Sequence, residues 1–287
     1  MRPSNLKTKI FLDSGDPAET KQALALLGFL DGQTTNPSLF AKNPEVQERL
    51  KEGKKFSREE VLNSYRTVVQ EISALIPDGS VSVEVYADTN TSVSEMEKQA
   101  REMFTWIRNS HVKIPIMAEG IRAAEHLVRD GIRVNMTLCF IQEQAAAVYV
   151  ATQGAVKGQV FLSPFVGRLD DRGENGMDFI ANCMRMYGES DHHVEVLSAS
   201  VRTLDHFLYA LQLGSDIITA PLKILQEWSA MDRVIPGDAY VYDAKILESI
   251  PYVACDLAKP WQEFNISHEL TDKGIAKFAS DWNALIV

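Results

Sequence analysis

The stretch HVKIPIMAEGIRAAEHLVRDGIRVNMTL, His111 to Leu138, reads as strand, helix, strand. Its two ends, HVKIPI and RVNMTL, are short apolar runs of the kind that form parallel strands covered on both faces. Between them Ile121, Ala124 and Val128 recur at helical spacing, and Gly131 supplies a stop. Such a unit predicts two parallel strands joined by a right-handed crossover. Lys113 sits inside the first run, flanked by Val112 and Ile114. Burying an ammonium is costly and lysines are mostly exposed, so this one needs a chemical reason to be there.

The same alternation extends in both directions. Strands are predicted at KIFLD (9–13), QTTN (33–36), VSVEVYA (81–87), HVKIPI (111–116), RVNMTL (133–138), QVFLSPFV (159–166), HVEVLSAS (193–200) and SDIITAP (215–221). Helices are predicted between them, for example TLDHFLYALQLG with a Thr203 cap and a Gly214 stop, and PAETKQALALLGFLDG. Eight strand–helix units predict an α/β fold, a closed (β/α)₈ TIM barrel. A doubly wound open sheet is the alternative, weakened because the chain has no G-x-G-x-x-G and no G-x-x-x-x-G-K-[ST] loop. Extra helices are expected after strand two, at about 44–53 and 57–76. Residues 230–268, rich in Pro, Tyr and Asp, lack a period. A final helix, ELTDKGIAKFASDWNALI, puts Ile275, Phe278, Ala279 and Trp282 on one side. The expectation is one domain over 1–287, with the barrel at about 9–229 and the extension and final helix at 230–287.

The chain has 287 residues, 45% hydrophobic and 24% charged, with a formal net charge of -10. An acidic chain without basic runs is a poor partner for nucleic acid or an anionic membrane, although a few local arginines can still hold an anionic small molecule. No apolar run reaches the roughly 18 residues of a membrane span. The start, MRPSNLKTKIFLD, lacks the apolar core of a signal peptide. Cys139, Cys183 and Cys255 have no metal-ligand spacing and leave an odd thiol in any disulfide scheme. A reduced, cytoplasmic protein is expected.

In a barrel of this kind chemistry gathers at the C-terminal ends of the strands. Nearly every strand brings one polar residue there: Asp13, Asn36, Glu84, Lys113, then Asn135 and Thr137 on one face of strand five, Ser163 with Arg168 in its loop, and Ser200 with Arg202. A structural ion cluster is the bland explanation, since buried charges are tolerated when paired. The chemical one is sharper. A lysine has an ordinary pKa of about 10.4, and an apolar wall lowers it and frees a lone pair. A neutral amine attacks a ketone or aldehyde to give a Schiff base, whose iminium stabilises a neighbouring carbanion. Two carboxylates in different places, Glu84 and Asp13, suit the two proton transfers that such a reaction needs. Thr137 could hold a water for Glu84.

QTTNPSLF, HVKIPIMAEGIRAAEHL, GIRVNMTLCF, FLSPFVGRLDD and LSASVRT together resemble the transaldolase family in order and spacing. The resemblance runs from Lys9 to about Trp228 and resumes weakly in the last helix. It implies a cofactor-free class I aldolase-type enzyme of the pentose phosphate pathway. The reaction implied moves a dihydroxyacetone unit from sedoheptulose 7-phosphate to glyceraldehyde 3-phosphate, giving erythrose 4-phosphate and fructose 6-phosphate. By the matching motifs Lys113 is the Schiff-base lysine, Asp13 the acid/base for carbon–carbon cleavage, and Glu84 with Thr137 the pair holding the catalytic water. Asn36 and Asn135 bind substrate hydroxyls with Ser163 beside them, and Arg168, Ser200 and Arg202 form the phosphate site. The resemblance also implies that the last helix can cross to a neighbouring subunit, giving a homo-oligomer. Two positions depart from the pattern: Met117 stands where Thr is usual, and Ile141 where FIQEQA would usually carry Ser. Both put substrate range in doubt. Relatives of the fructose 6-phosphate aldolase type, which release free dihydroxyacetone, carry Gln at position 84 and Tyr at position 165, so Glu84 and Phe165 favour transfer.

Three other features carry weaker readings. GRLDDRGENGMD offers Asp170, Asp171, Glu174 and Asp178 to a cation, but a solvated loop is the simpler expectation. Asp191 and His193 in DHH look like a metal pair, and no metal is expected. Tyr240, Tyr242, Tyr252, Trp261 and Phe264 are expected to pack on the barrel or on another subunit. A metal-dependent aldolase or isomerase would need a His/carboxylate cluster that six scattered histidines do not supply. A degenerate barrel that only binds phosphosugars is the non-enzymatic alternative.

Overall fold

Eight parallel strands follow the predicted order: β1 Lys9–Asp13, β2 Gly32–Thr34, β3 Ser80–Glu84, β4 Ser110–Pro115, β5 Val134–Cys139, β6 Val160–Pro164, β7 Val194–Ser198 and β8 Ile217–Ala220. Each pairs with the next, and β8 closes on β1 with Lys9 opposite Ile217 and Leu12 opposite Ala220, so the sheet is a closed (β/α)₈ TIM barrel. This computed structural model describes residues 2–188, 190–244 and 246–287. Met1, Glu189 and Lys245 of the expected domain therefore lie outside the described residues.

The helices are α1 Pro17–Leu27, α2 Pro37–Ala41, α3 Pro44–Lys51, α4 Arg58–Leu75, α5 Val93–Phe104, α6 Ala118–Arg129, α7 Gln142–Ala151, α8 Val166–Asp170, α9 Gly176–Tyr187, α10 Leu204–Gln212, α11 Leu222–Ala230 and α12 Glu269–Ala284. Their starts follow local chemistry. Ser57 and Ser92 each form a reciprocal capping box with a glutamate three residues on, and the Thr203 side chain accepts from the His206 amide. Glycines with positive φ, Gly131 at 78° and Gly214 at 71°, follow α6 and α10 as the sequence predicts. Ile121, Ala124 and Val128 are buried on α6.

Two short helices, α2 and α8, are absent from the sequence reading, since five residues are too few to show a period. They matter for the site. Strand two stops at Thr34, not Asn36, because Asn36 turns to cap α2 and accepts from the Leu39 amide at 2.9 Å. Arg168 lies on α8, not in an open loop.

Gly120 lets α6 lie directly on β4. A Cβ there would stand 2.1 Å from the Pro115 carbonyl oxygen. Among the described residues of the segment 231–268 the one helical element is the 3₁₀ turn Trp261–Glu263, and the segment packs on the barrel through its aromatic rings. Tyr242 stacks on Tyr209 at 4.8 Å, and Trp261 and Phe264 are buried. The last helix, α12, then crosses the C-terminal mouth of the barrel. Thr271 donates to the Leu138 carbonyl at 3.0 Å, and Trp282 packs against Phe40 and Tyr65. Among the described residues no helix is long and apolar enough to cross a membrane.

Candidate active site

The ladder itself brings the charged residues together. Glu84 of β3 is the register partner of Lys113 of β4, and Lys113 is the partner of Asn135 of β5. All three side chains point into the barrel and are buried. Lys113 Nζ lies 3.1 Å from Glu84 Oε2. The expected apolar wall is therefore incomplete: the ammonium has a carboxylate on one side and the Phe278 ring, 6.0 Å to its centroid, on another. Burial raises Glu84 to about 6, against the opposing pull of Lys113 and, more weakly, Arg168.

Asp13 ends β1 and accepts a hydrogen bond from Thr34 Oγ1 at 2.7 Å; Thr34 is in turn bonded to Thr219 at 2.6 Å. Burial pushes the Asp13 carboxyl above its usual range, opposed by the charge of Lys113, by the Thr34 bond and by Lys42. Asn135 Nδ2 donates to Ser82 Oγ at 3.0 Å, and its Oδ1 accepts from Ser163 Oγ at 2.6 Å. This fixes the amide and orients Ser163. Apart from the Lys113 ion pair, Glu84 Oε2 has no hydrogen-bond partner among the described residues, and neither has the buried Thr137 Oγ1. A small cavity of about 10 Å³ touches Glu84, bounded by Pro37, Pro115, Leu138, Ile275 and Phe278. That is about the space one water molecule needs.

A larger cavity of about 300 Å³ opens beside Lys113 at the C-terminal mouth. It brings together Asp13, Asn36, Lys113, Ser163, Phe165, Arg168, Ser200 and Arg202 of the residues expected from sequence. Glu84, Asn135 and Thr137 do not line it; Asn135 reaches it through Ser163 and Glu84 through Lys113. Sequence reasoning missed Thr34, Lys42, Thr219, Lys277, Phe278 and Asp281, which also line it. Three of these come from α12, whose apolar face is legible but whose partner surface is not. Lys277 pairs with Asp281, which also accepts from Ser38 of α2, so this end of α12 is tied down across the mouth.

Arg168 lies between the Phe165 ring at 5.4 Å and the Phe278 ring at 5.5 Å. Burial lowers its pKa, as does the positive charge of Arg202. Arg202 is held by Asp171 through two parallel contacts, one of them Nη2 to Oδ2 at 2.7 Å. Asp170 Oδ2 lies 2.9 Å from His206 Nε2. The acidic loop is thus not simply solvated: Asp170 and Asp171 grip the segment after β7. Asp191 and His193 also meet, at 2.5 Å, with His192 between them at a left-handed φ of 55° just before β7. Among the described residues no group of three His, Cys, Asp or Glu could hold a metal ion.

The arrangement can present an amine to a carbonyl, move a proton at each of two separate carboxylates, and hold an anion some way off. The family model described as Transaldolase/Fructose-6-phosphate aldolase matches residues 10–286. A protein of Dehalococcoides mccartyi named "Probable transaldolase" is 36% identical over 277 residues, covering 96% of this chain and 99% of that one. One of Methanococcus maripaludis with the same name is 36% identical, covering 96% and 98%. One of Herpetosiphon aurantiacus, again of that name, is 34% identical, covering 96% and 94%. The chain belongs to the transaldolase/fructose-6-phosphate aldolase family of enzymes.

Proposed function

We propose that this enzyme is a transaldolase that carries a dihydroxyacetone unit on Lys113 as a Schiff base. The observation that carries the reading is the position of Lys113 Nζ: buried, beside Glu84, at the wall of a 300 Å³ cavity whose other walls hold Asp13 and two arginines. In this mechanism the amine adds to the ketose C2 carbonyl and water leaves, giving an iminium. The Asp13 carboxylate takes the proton of the C4 hydroxyl and the C3–C4 bond breaks. Its electron pair flows into the iminium, and the aldose phosphate departs. The resulting enamine attacks the acceptor aldehyde, and Asp13 returns the proton. Hydrolysis of the new iminium frees the amine. Glu84 Oε2, apart from its ion pair with Lys113, and Thr137 Oγ1 are buried without a hydrogen-bond partner among the described residues, and they suit a water that gives and takes protons at the carbinolamine. Arg168, Ser200 and Arg202 suit the substrate phosphate.

Release of free dihydroxyacetone, as a fructose 6-phosphate aldolase would do, is the second reading. Glu84 and Phe165, which stand where that type carries Gln and Tyr, favour transfer, because an aromatic ring without a hydroxyl at position 165 has no group to hold a second water against the intermediate. The test is mass spectrometry after borohydride reduction with fructose 6-phosphate. An adduct on Lys113, lost in Lys113→Ala, supports the Schiff base. No adduct, together with activity abolished by a chelator, would sink it in favour of a metal-dependent reaction. A coupled assay then separates the two readings: fructose 6-phosphate cleavage faster without an acceptor than with one makes the enzyme an aldolase.

A further inference from the structure

The two arginines line the same cavity as like charges, and the pKa of Arg168 is lowered by burial and then by the Arg202 charge. Like charges converge on one pocket only when something nearby offsets them. Asp171 does so for Arg202. Its carboxylate takes the Nη1 and Nη2 ends of the guanidinium, an end-on fork. A guanidinium has five N–H donors, so, with Nη1 and Nη2 each giving one to Asp171, Nε–H and the outer protons have no partner among the described residues and remain for a second anion. The rest of the segment is held as firmly. Gly167 of α8 lies under the Arg202 side chain, where a Cβ would stand 2.4 Å from Nε, and its amide donates to the Ser200 carbonyl at 3.0 Å. Ser200 itself takes a left-handed φ of 57°. Asp170 accepts from His206 Nε2 at 2.9 Å, and His206 Nδ1 accepts from the Arg202 backbone amide at 3.4 Å. Neighbouring aspartates therefore hold one arginine twice, by its side chain and, through a histidine, by its backbone.

The Arg202–Asp171 pair is mostly open to solvent, with 43% and 58% of the side chains exposed. An exposed pair contributes little to stability. Its geometry makes sense as aim rather than as support.

Building on the transaldolase reading, we propose that Asp171 is a positioning residue that aims Arg202 at the substrate phosphate and so sets the preference for phosphorylated over unphosphorylated acceptors. The experiment compares wild type with Asp171→Asn, using glyceraldehyde 3-phosphate and glyceraldehyde as acceptors. The expected result is a KM for glyceraldehyde 3-phosphate raised on the order of fivefold, as for loss of one charge-assisted fork on a partly exposed arginine. The KM for glyceraldehyde, kcat and the melting temperature stay the same. Because Asp171 acts through Arg202, adding Asp171→Asn to Arg202→Gln changes nothing further. An unchanged KM for the phosphorylated acceptor, an equal change for both acceptors, or a further loss in the Arg202→Gln background each overturns the inference. Borohydride trapping of wild type with dihydroxyacetone tests the underlying reading separately. Without an adduct on Lys113 the transferase reading fails; an adduct alongside an unaltered Asp171→Asn variant refutes only the role of Asp171.

Discussion

Lys113 and Glu84 share one rung of the β3–β4 ladder, and their charged ends meet 3.1 Å apart with almost no contact with solvent. Neither can be removed without stranding the other. The cost of stranding a buried ion exceeds the net contribution of the pair itself.

Lys113→Met should therefore be less stable than the double variant Lys113→Met/Glu84→Gln, although both are inactive. Breaking a buried pair from one side costs about 3–5 kcal/mol, and neutralising the remaining partner should recover part of it. Urea unfolding at pH 7.5 measures the difference. Equal midpoints would show that the carboxylate bears no penalty on its own.

Glu84 also gives the fold a pH dependence whose sign is fixed. Burial raises its pKa from the ordinary 4.5 to about 6, so the folded chain holds this proton more tightly than the unfolded one. The contribution to stability is complete below pH 4.5 and is lost as pH rises through 6. In Glu84→Gln that slope should disappear, changing the difference in unfolding free energy between a pH well below the unfolded pKa and one well above the folded pKa by about 2 kcal/mol. Parallel stability–pH curves for the two proteins would contradict the assignment.

Tyr65 of α4 reaches between two site strands from behind. Its hydroxyl is bonded to Thr35 Oγ1 at 2.5 Å and accepts from the Glu84 amide at 3.1 Å, with no exposure of the ring. Tyr65→Phe removes the acceptor of the buried Glu84 amide, while Thr35 Oγ1 keeps its bond to the Ser82 carbonyl at 2.7 Å, so the loss should be about 1–2 kcal/mol in equilibrium unfolding. It should also lower kcat, since the β3 backbone carries Glu84. A variant as stable and as active as wild type would mean that the amide finds another partner.

Gly120→Ala tests the contact of α6 with β4. Helix propensity alone predicts a gain of about 0.5–1 kcal/mol. The 2.1 Å approach to the Pro115 carbonyl predicts a loss, on the order of 2–3 kcal/mol, because backbone rather than a flexible side chain stands in the way. Differential scanning calorimetry decides the sign.

Much of this is legible in the sequence, for a definite reason. Several strands are apolar runs interrupted by a charged or amide side chain, so Asp13, Glu84, Lys113 and Asn135 announce themselves by being out of place. Alternation of side chains along β5 is enough to put Asn135 and Thr137 on one face. What the sequence hides is contact between segments far apart in the chain. Tyr65 looks like any apolar helix position, and nothing near it spells a bond to Thr35. Asp171 looks like part of a wet acidic loop until Arg202 is folded against it. Lys277 and Asp281 follow a linker without a period, so their place at the cavity could not be counted out from the last strand.

That placement of α12 has a consequence for how the enzyme comes into being. Synthesis runs from the N-terminus, and every barrel strand leaves the ribosome before the last helix does. Phe278 and Lys277 reach the mouth of the barrel only once α12 has followed, and Val287 then ties to the Phe56 carbonyl at 2.9 Å. A nascent chain can thus complete its barrel while its pocket still lacks a roof, and turnover waits for that roof to arrive.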